Sequence, residues 1–232
     1  MDETEKQEES KVPAVKQTTQ VAKKKEQKYP YRTKEQCLPW YRVVYPVAFF
    51  IYRLIYGLKV IGRENIPDGP AVICPRHCTA IDPPMVCFGL TRKRHPRIIA
   101  KIELLQIPVL GQILYRIGVF GVHRGENDIA PIRNGLKSLK EGSQLIIFPE
   151  GHRVHEGETA QAQTGAIMFS LKAGVPLVPV YLTRAKRFHR MTMVFGEPYQ
   201  PKIAGKRATP EEYRMLADEL LNKIYALESR VS

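Results

Sequence analysis

Polar and apolar positions divide the chain into three stretches. Residues 1–30 are rich in Glu, Lys and Gln and nearly free of large apolar side chains. Such a segment cannot bury enough surface to offset its ordering entropy, which predicts a disordered charged tail. Residues 36–57 are different. On a wheel of about 100° per residue, Arg42, Tyr45, Arg53 and Tyr56 form one stripe, with Tyr41 and Tyr52 on its flank and Phe49 interrupting it. Val43, Val44, Val47, Phe50, Ile51, Leu54 and Ile55 fall on the opposite arc. This predicts an amphipathic helix in a bilayer interface, its tyrosine hydroxyls in water. A helix packed on the protein's own core has a similar wheel. Pro46 is expected to kink the helix or split it in two.

Residues 58–232 alternate short apolar runs with helical patterns. Strands are predicted at 71–74, 97–100, 118–122, 144–148, 176–182 and 191–196. A helix is predicted to open at Asp82 as N-cap, with Pro83 in its first turn. Residues 103–117 read as an apolar helix pair broken near Pro108 and Gly111. Further helices are predicted from Asp128 to Lys140, over the segment GAIMFSLKA closed by Gly174, and from the capping box TPEE onward, bearing Leu216, Leu220, Ile224 and Leu227. The alternation predicts a single α/β domain with a largely parallel or mixed central sheet flanked by helices, preceded by the amphipathic helix or helix pair.

Composition narrows the partners. The chain has 232 residues, enough for one sizeable core. Lys and Arg number 36 against 23 Asp and Glu, a net charge of +13. That excess predicts an anionic partner, whether nucleic acid, an anionic membrane surface or a phosphorylated substrate. Four cysteines are too few for a disulfide-stapled fold of this length, and no secretory signal opens the sequence. No uncharged apolar run reaches the ~18 residues of a spanning helix.

Three segments carry candidate chemistry. In RHCTAID, His77 and Asp82 are five residues apart, between a predicted strand and a predicted helix. On such a loop they can converge at the carboxyl edge of the sheet, where open α/β sheets place ligands. A carboxylate beside an imidazole fixes its tautomer and stabilises the imidazolium formed when the ring takes a proton. The plainer alternative makes Asp82 a helix cap and His77 a loop residue. In FPEGHR, Glu150, Gly151 and Arg153 follow the strand ending at Phe148. Gly permits close backbone approach, and Arg offers a planar fork to a phosphate. In GVFGVHRG a third strand ends at Arg124, so two arginines at neighbouring strand ends would clamp a phosphate monoester. Alternatively, each pairs with a nearby acid. Cys78 as a nucleophile and a zinc site in CPRHC are weaker readings, because adjacent side chains diverge and a tetrahedral site needs further ligands. His95, His155 and His189 read as surface residues.

These segments, in this order, resemble the 1-acyl-glycerol-3-phosphate acyltransferases of the glycerolipid acyltransferase superfamily, in their compact bacterial form. That family's blocks are matched by His77 and Asp82, by Gly118 to Arg124, by Phe148, Pro149, Glu150, Gly151 and Arg153, and by the strand VPLVPV (175–180). The segment AKIEL with Pro108 and Gly111 is similar to the stretch between the first two blocks. Arg76, His123 and His152 depart from the pattern, and the extra cations would strengthen a phosphate site. The resemblance covers about residues 58–200 and implies that 58–232 is an acyltransferase domain. It implies transfer of a fatty acyl group from a thioester, on coenzyme A or acyl carrier protein, to the 2-hydroxyl of lysophosphatidic acid. His77 would act as general base and Asp82 would orient it. Arg124 and Arg153 would hold the phosphate, Glu150 and Gly151 would shape the acceptor site, and Lys101 would contact phosphate or donor. A thioester is already activated, so neither a cofactor nor a metal is required. The implied location is the cytoplasmic face of the cell membrane. Glycerol-3-phosphate or another lysophospholipid is the alternative acceptor. A basic nucleic-acid-binding protein, for which no recognition motif stands in the sequence, and a non-catalytic membrane-surface protein are the alternatives of a different class.

Overall fold

The structure is a computed structural model that describes residues 29–123, 129–155, 158, 160–205 and 207–231. The expected tail lies outside the described residues up to residue 28. Helix α1 is Lys34–Ile55. Thr33 starts it with a capping box, its side chain accepting from Gln36 N while the Gln36 side chain accepts from Thr33 N. Pro46 does not split it. Proline has no N–H to offer the carbonyl of Arg42 four residues back, and Arg92 supplies the missing donor at 3.1 Å.

The apolar arc of α1 faces away from the core, as expected of a helix in a bilayer interface, but the tyrosines of the opposite stripe pack on the core instead of standing in water. Tyr41 is buried, and Tyr45, Phe49, Tyr52 and Tyr56 pack on the core. Phe88 is their main partner, meeting Phe49 edge-to-face at 5.4 Å. The rings of that stripe therefore turn inward, while Arg42 and Arg53 of the same stripe stay exposed. Rings bury more area than valines and gain from edge contacts, so the aromatic side is the better core face. The valine-rich arc faces out, with Val43, Val47, Phe50, Ile51 and Leu54 exposed. No helix among the described residues is long and apolar enough to cross a membrane.

Among the described residues seven strands form one sheet: β1 (Gly57–Ile61), β2 (Val72–Pro75), β3 (Arg97–Lys101), β4 (Phe120–Val122), β5 (Leu145–Ile146), β6 (Leu177–Leu182) and β7 (Arg190–Phe195). Their order is β1-β7-β6-β2-β5-β3-β4. The five strands from β6 to β4 are parallel, while β7 runs antiparallel to β6 and β1 is parallel to β7. β1 has no counterpart among the predicted strands. It is only half-buried and takes its place by pairing Gly57 with Arg190 and Ile61 with Val194, far away in sequence.

The helices divide between two layers. α2 (Asp82–Leu90) and α1 cover one face over Ile73, Ile146 and Val178. α5 (Ala130–Lys140), α6 (Gly165–Ala173) and α7 (Pro210–Ala226) cover the other over Val72, Cys74 and Leu145. β2 thus sends alternate side chains to opposite layers. Short helices α3 (Ile102–Gln106) and α4 (Leu110–Arg116) bridge β3 to β4. His95 is buried, not on the surface, and its Nε2 lies 2.9 Å from the carbonyl of Ile117. Burial pushes its pKa down to about 4, so at neutral pH it is an uncharged donor to that carbonyl.

Candidate active site

The loops leaving the carboxyl ends of the parallel strands carry the polar centre. Residue 77 follows β2, the middle strand, and the 148–153 segment follows the adjacent β5. The His77 Nδ1 and Asp82 Oδ2 lie 3.1 Å apart. Asp82 is almost fully buried, and the His77 side chain is 16% exposed. Asp82 is the first residue of α2, with Ile81 as N-cap, rather than the N-cap itself. Its carboxylate turns back to the loop instead of capping α2. Oδ2 accepts from Cys78 N at 2.6 Å and Thr79 N at 2.7 Å, and Oδ1 accepts from the Thr79 hydroxyl at 2.6 Å. An anion holding this many donors is fixed in place. With Nδ1–H donated to Asp82, Nε2 is the nitrogen that keeps a free lone pair, and it has no hydrogen-bond partner among the described residues.

Two contacts fix the ring and its backbone from the segment that follows β5. The Phe148 ring lies against the imidazole, centroids 4.1 Å apart. Val154 N donates to the His77 carbonyl at 2.8 Å. Gly151, at φ +71, turns the chain between them, and a Cβ there would come within 2.8 Å of Gln163. Arg153 is exposed and neighbours the Val154–His77 contact. Lys101 is exposed at the end of β3, on the same edge but two strands from His77. Arg124 lies outside the described residues.

Glu150 is fully buried beneath the loop. Its Oε1 accepts from His77 N at 3.3 Å and from the Tyr225 hydroxyl at 3.4 Å, and its Oε2 has no partner among the described residues. Burial raises its pKa to about 7, against the opposing pull of those donors and of Arg76. It therefore touches the histidine's backbone rather than the open side of the site.

Sequence reasoning missed a second layer behind the dyad. Arg76 donates to the Tyr181 hydroxyl at 2.9 Å, and Tyr181 donates to Glu228 at 2.5 Å. The Arg76 guanidinium also lies 5.1 Å from the Tyr181 ring and 5.3 Å from the Tyr225 ring. Tyr225 and Glu228 come from the end of α7 and the 3₁₀ turn Leu227–Arg230 after it. Only the departure of Arg76 from the family pattern hinted at this. Cys74 and Cys78 are buried, and burial raises both thiol pKa values, which disfavours a thiolate nucleophile. Among the described residues no group of three or more His, Cys, Asp or Glu is placed to hold a metal. On the other face, a groove of about 530 Å³ is lined by Ile99, Ile132, Met168, Phe169 and Tyr213, away from the α2 layer that supplies Asp82.

A mainly parallel sheet with a buried acid and an imidazole at its carboxyl edge defines an α/β enzyme with its working groups on the strand-end loops. Comparison gives the family. The model of the Acyltransferase family matches residues 57–183, and the chain belongs to that family. It is 30% identical over 203 residues to the 1-acyl-sn-glycerol-3-phosphate acyltransferase of Pseudomonas aeruginosa, covering 80% of this chain and 77% of that protein. It is 34% identical over 145 residues to the enzyme of the same name from Borreliella burgdorferi, covering 60% of this chain and 57% of that one. With that of Bacillus subtilis the identity is 28%, over 75% and 90% of the two chains. The crystal structure of the 1-acyl-sn-glycerophosphate acyltransferase PlsC from Thermotoga maritima has the same fold, with a TM-score of 0.58 and 23% identity over 84% of this chain and 78% of that one.

Proposed function

We propose that this acyltransferase moves a fatty acyl group from a thioester donor, coenzyme A or acyl carrier protein, to the 2-hydroxyl of 1-acyl-glycerol-3-phosphate, giving phosphatidic acid. The observation that carries the reading is the His77–Asp82 contact of 3.1 Å, which leaves Nε2 unengaged. The names of the curated relatives supply the acceptor. Nε2 takes the proton of the 2-hydroxyl as its oxygen attacks the thioester carbonyl. The new C–O bond forms, the C–S bond breaks, and the departing thiolate takes the proton from the imidazolium. General-base catalysis of this kind contributes roughly 10²–10⁴ in rate. Asp82 holds the tautomer, and Arg153 and Arg124 receive the phosphate. Glu150 acts from behind, through the His77 backbone. No step calls for a cofactor or metal.

The exposed apolar arc of α1, with the net charge of +13, supports seating the enzyme on an anionic phospholipid surface, at the cytoplasmic face where the thioesters are. The test is a thioester-cleavage assay across a panel of lyso-acceptors. Release of thiol with lysophosphatidic acid, lost in His77→Ala while the circular dichroism spectrum is kept, is the expected result. Wild-type-like turnover in that variant sinks the assignment.

A further inference from the structure

The turn joining β6 to β7 gathers cations around an exposed ring. Arg184, Lys186, Arg187, Phe188 and Arg190 are all exposed, and no acid occurs between Thr183 and Gly196. None of these four cations is paired with a carboxylate among the described residues. Phe188 is 75% exposed, the highest value among the exposed large apolar side chains. It also holds a left-handed backbone, φ 60, a strained conformation uncommon for a bulky residue. What holds it is a hydrogen bond of 2.9 Å from Phe188 N to the carbonyl of Ile55, the last residue of α1. That carbonyl is one of those a helix end leaves unpaired. The turn therefore caps the helix whose outer arc presents Phe50, Ile51 and Leu54 to the surroundings.

We infer that residues 183–190 are a second docking element for anionic lipid, with Phe188 entering the acyl boundary and Arg184, Lys186, Arg187 and Arg190 meeting headgroup phosphates. The inference rests on the reading that α1 lies on a membrane. A largely exposed aromatic ring, with the Arg187 guanidinium 5.4 Å from its centre and three further cations unpaired with any carboxylate among the described residues, is poorly disposed in water and well disposed where hydrocarbon meets an anionic surface. Continuity with α1 makes lipid the occupant: the turn stands at the end of an exposed apolar helix face, and one plane can meet both. The position also carries a consequence for the reaction. β6 lies beside β2, and its carboxyl end is on the edge that bears His77. The charge of Arg184 is felt at the Cys78 thiol, next to the histidine. Docking through this turn brings the dyad's edge toward the lipid layer from which the acceptor comes.

The experiment measures the affinity of the full chain for phosphatidylcholine vesicles with and without phosphatidylglycerol. Its variants are K186Q/R187Q, Leu54→Ser, and Phe188→Trp in a Trp40→Phe background. Each basic residue near an anionic surface contributes enough that losing two lowers affinity for the anionic vesicles roughly thirtyfold. Binding to neutral vesicles stays as in the wild type. The indole of Phe188→Trp shifts to the blue on binding and is quenched by lipids brominated along the acyl chain. Every altered side chain is exposed, so thermal midpoints are expected to match the wild type. Unchanged anionic affinity in K186Q/R187Q, with binding lost in Leu54→Ser, overturns this inference and leaves the α1 reading standing. Unchanged affinity in both sets of variants overturns the two together. A raised KM for the thioester donor in detergent micelles, with vesicle affinity unchanged, overturns it in favour of a dock for the anionic donor.

Discussion

Asp82 does two jobs with two oxygens. It orients the imidazole, and it gathers three donors from the loop that carries it. Asp82→Asn keeps the size and loses the charge that stabilises an imidazolium. It is expected to lower kcat by at least tenfold, read in single-turnover kinetics, with a smaller effect on acceptor KM. Glu150 makes a different prediction, about stability. Burial raises its pKa from 4.5 to about 7. Between those values the folded chain holds a proton that the unfolded chain has released, so stability is full below the unfolded pKa and falls as pH rises toward 7. Urea midpoints measured from pH 5 to pH 8 are expected to decline across that window in the wild type and to flatten in Glu150→Gln. Gly151 is constrained by backbone and by space. Gly151→Ala is expected to destabilise the chain by about 1–2 kcal/mol, since L residues disfavour the left-handed region, with added strain from the Gln163 contact.

The elements repeat a pattern of ends that are tied to distant groups. The Pro46 gap in α1 is closed by Arg92 of the loop after α2. The end of α7 reaches the residues around His77 through Tyr225 and, by way of Tyr181, through Glu228. Tyr225→Phe removes the donor to Glu150 and leaves the ring over Arg76. It is expected to lower kcat several-fold with little change in thermal midpoint, because Glu150 keeps its contact with His77 N. At the other end of α7 the capping box of Thr209 and Glu212 matches the sequence pattern in both of its bonds. Thr209→Ala is expected to cost about 1 kcal/mol, seen as a lower thermal midpoint without loss of specific activity.

At the scale of the whole molecule, the sheet brings four separate segments to one edge, and α1 lays an apolar arc along the outside. The order of motifs along the chain was enough to expect His77 and Asp82 in contact at a strand end, because each block follows a strand and the strands are parallel. Motif order did not show that Glu150 is buried behind the histidine, since one register step decides whether a side chain lines the cleft or the floor. It gave no sign of Tyr181 or Tyr225, which enter from β6 and α7 without any local signature. Nor did the wheel show that the core takes up the tyrosine and phenylalanine rings of the mixed stripe of α1. A wheel separates two arcs but does not say which one the core will select, and here Phe88 provides the edge that the aromatic arc fits.

Local rules governed much of this protein from the amino-acid order alone: the alternation of strand and helix, the caps at Thr33 and Thr209, the glycine turns at Gly151 and Gly174, and the spacing that lets an imidazole meet a carboxylate. Those features depend on residues within a few positions of each other, so they are written in short windows. The insertion of β1 beside β7, the inward turn of the tyrosines and the burial of Glu150 under Tyr225 were settled by packing. Each joins residues tens to more than a hundred positions apart, and their energies exist only once the surfaces have met.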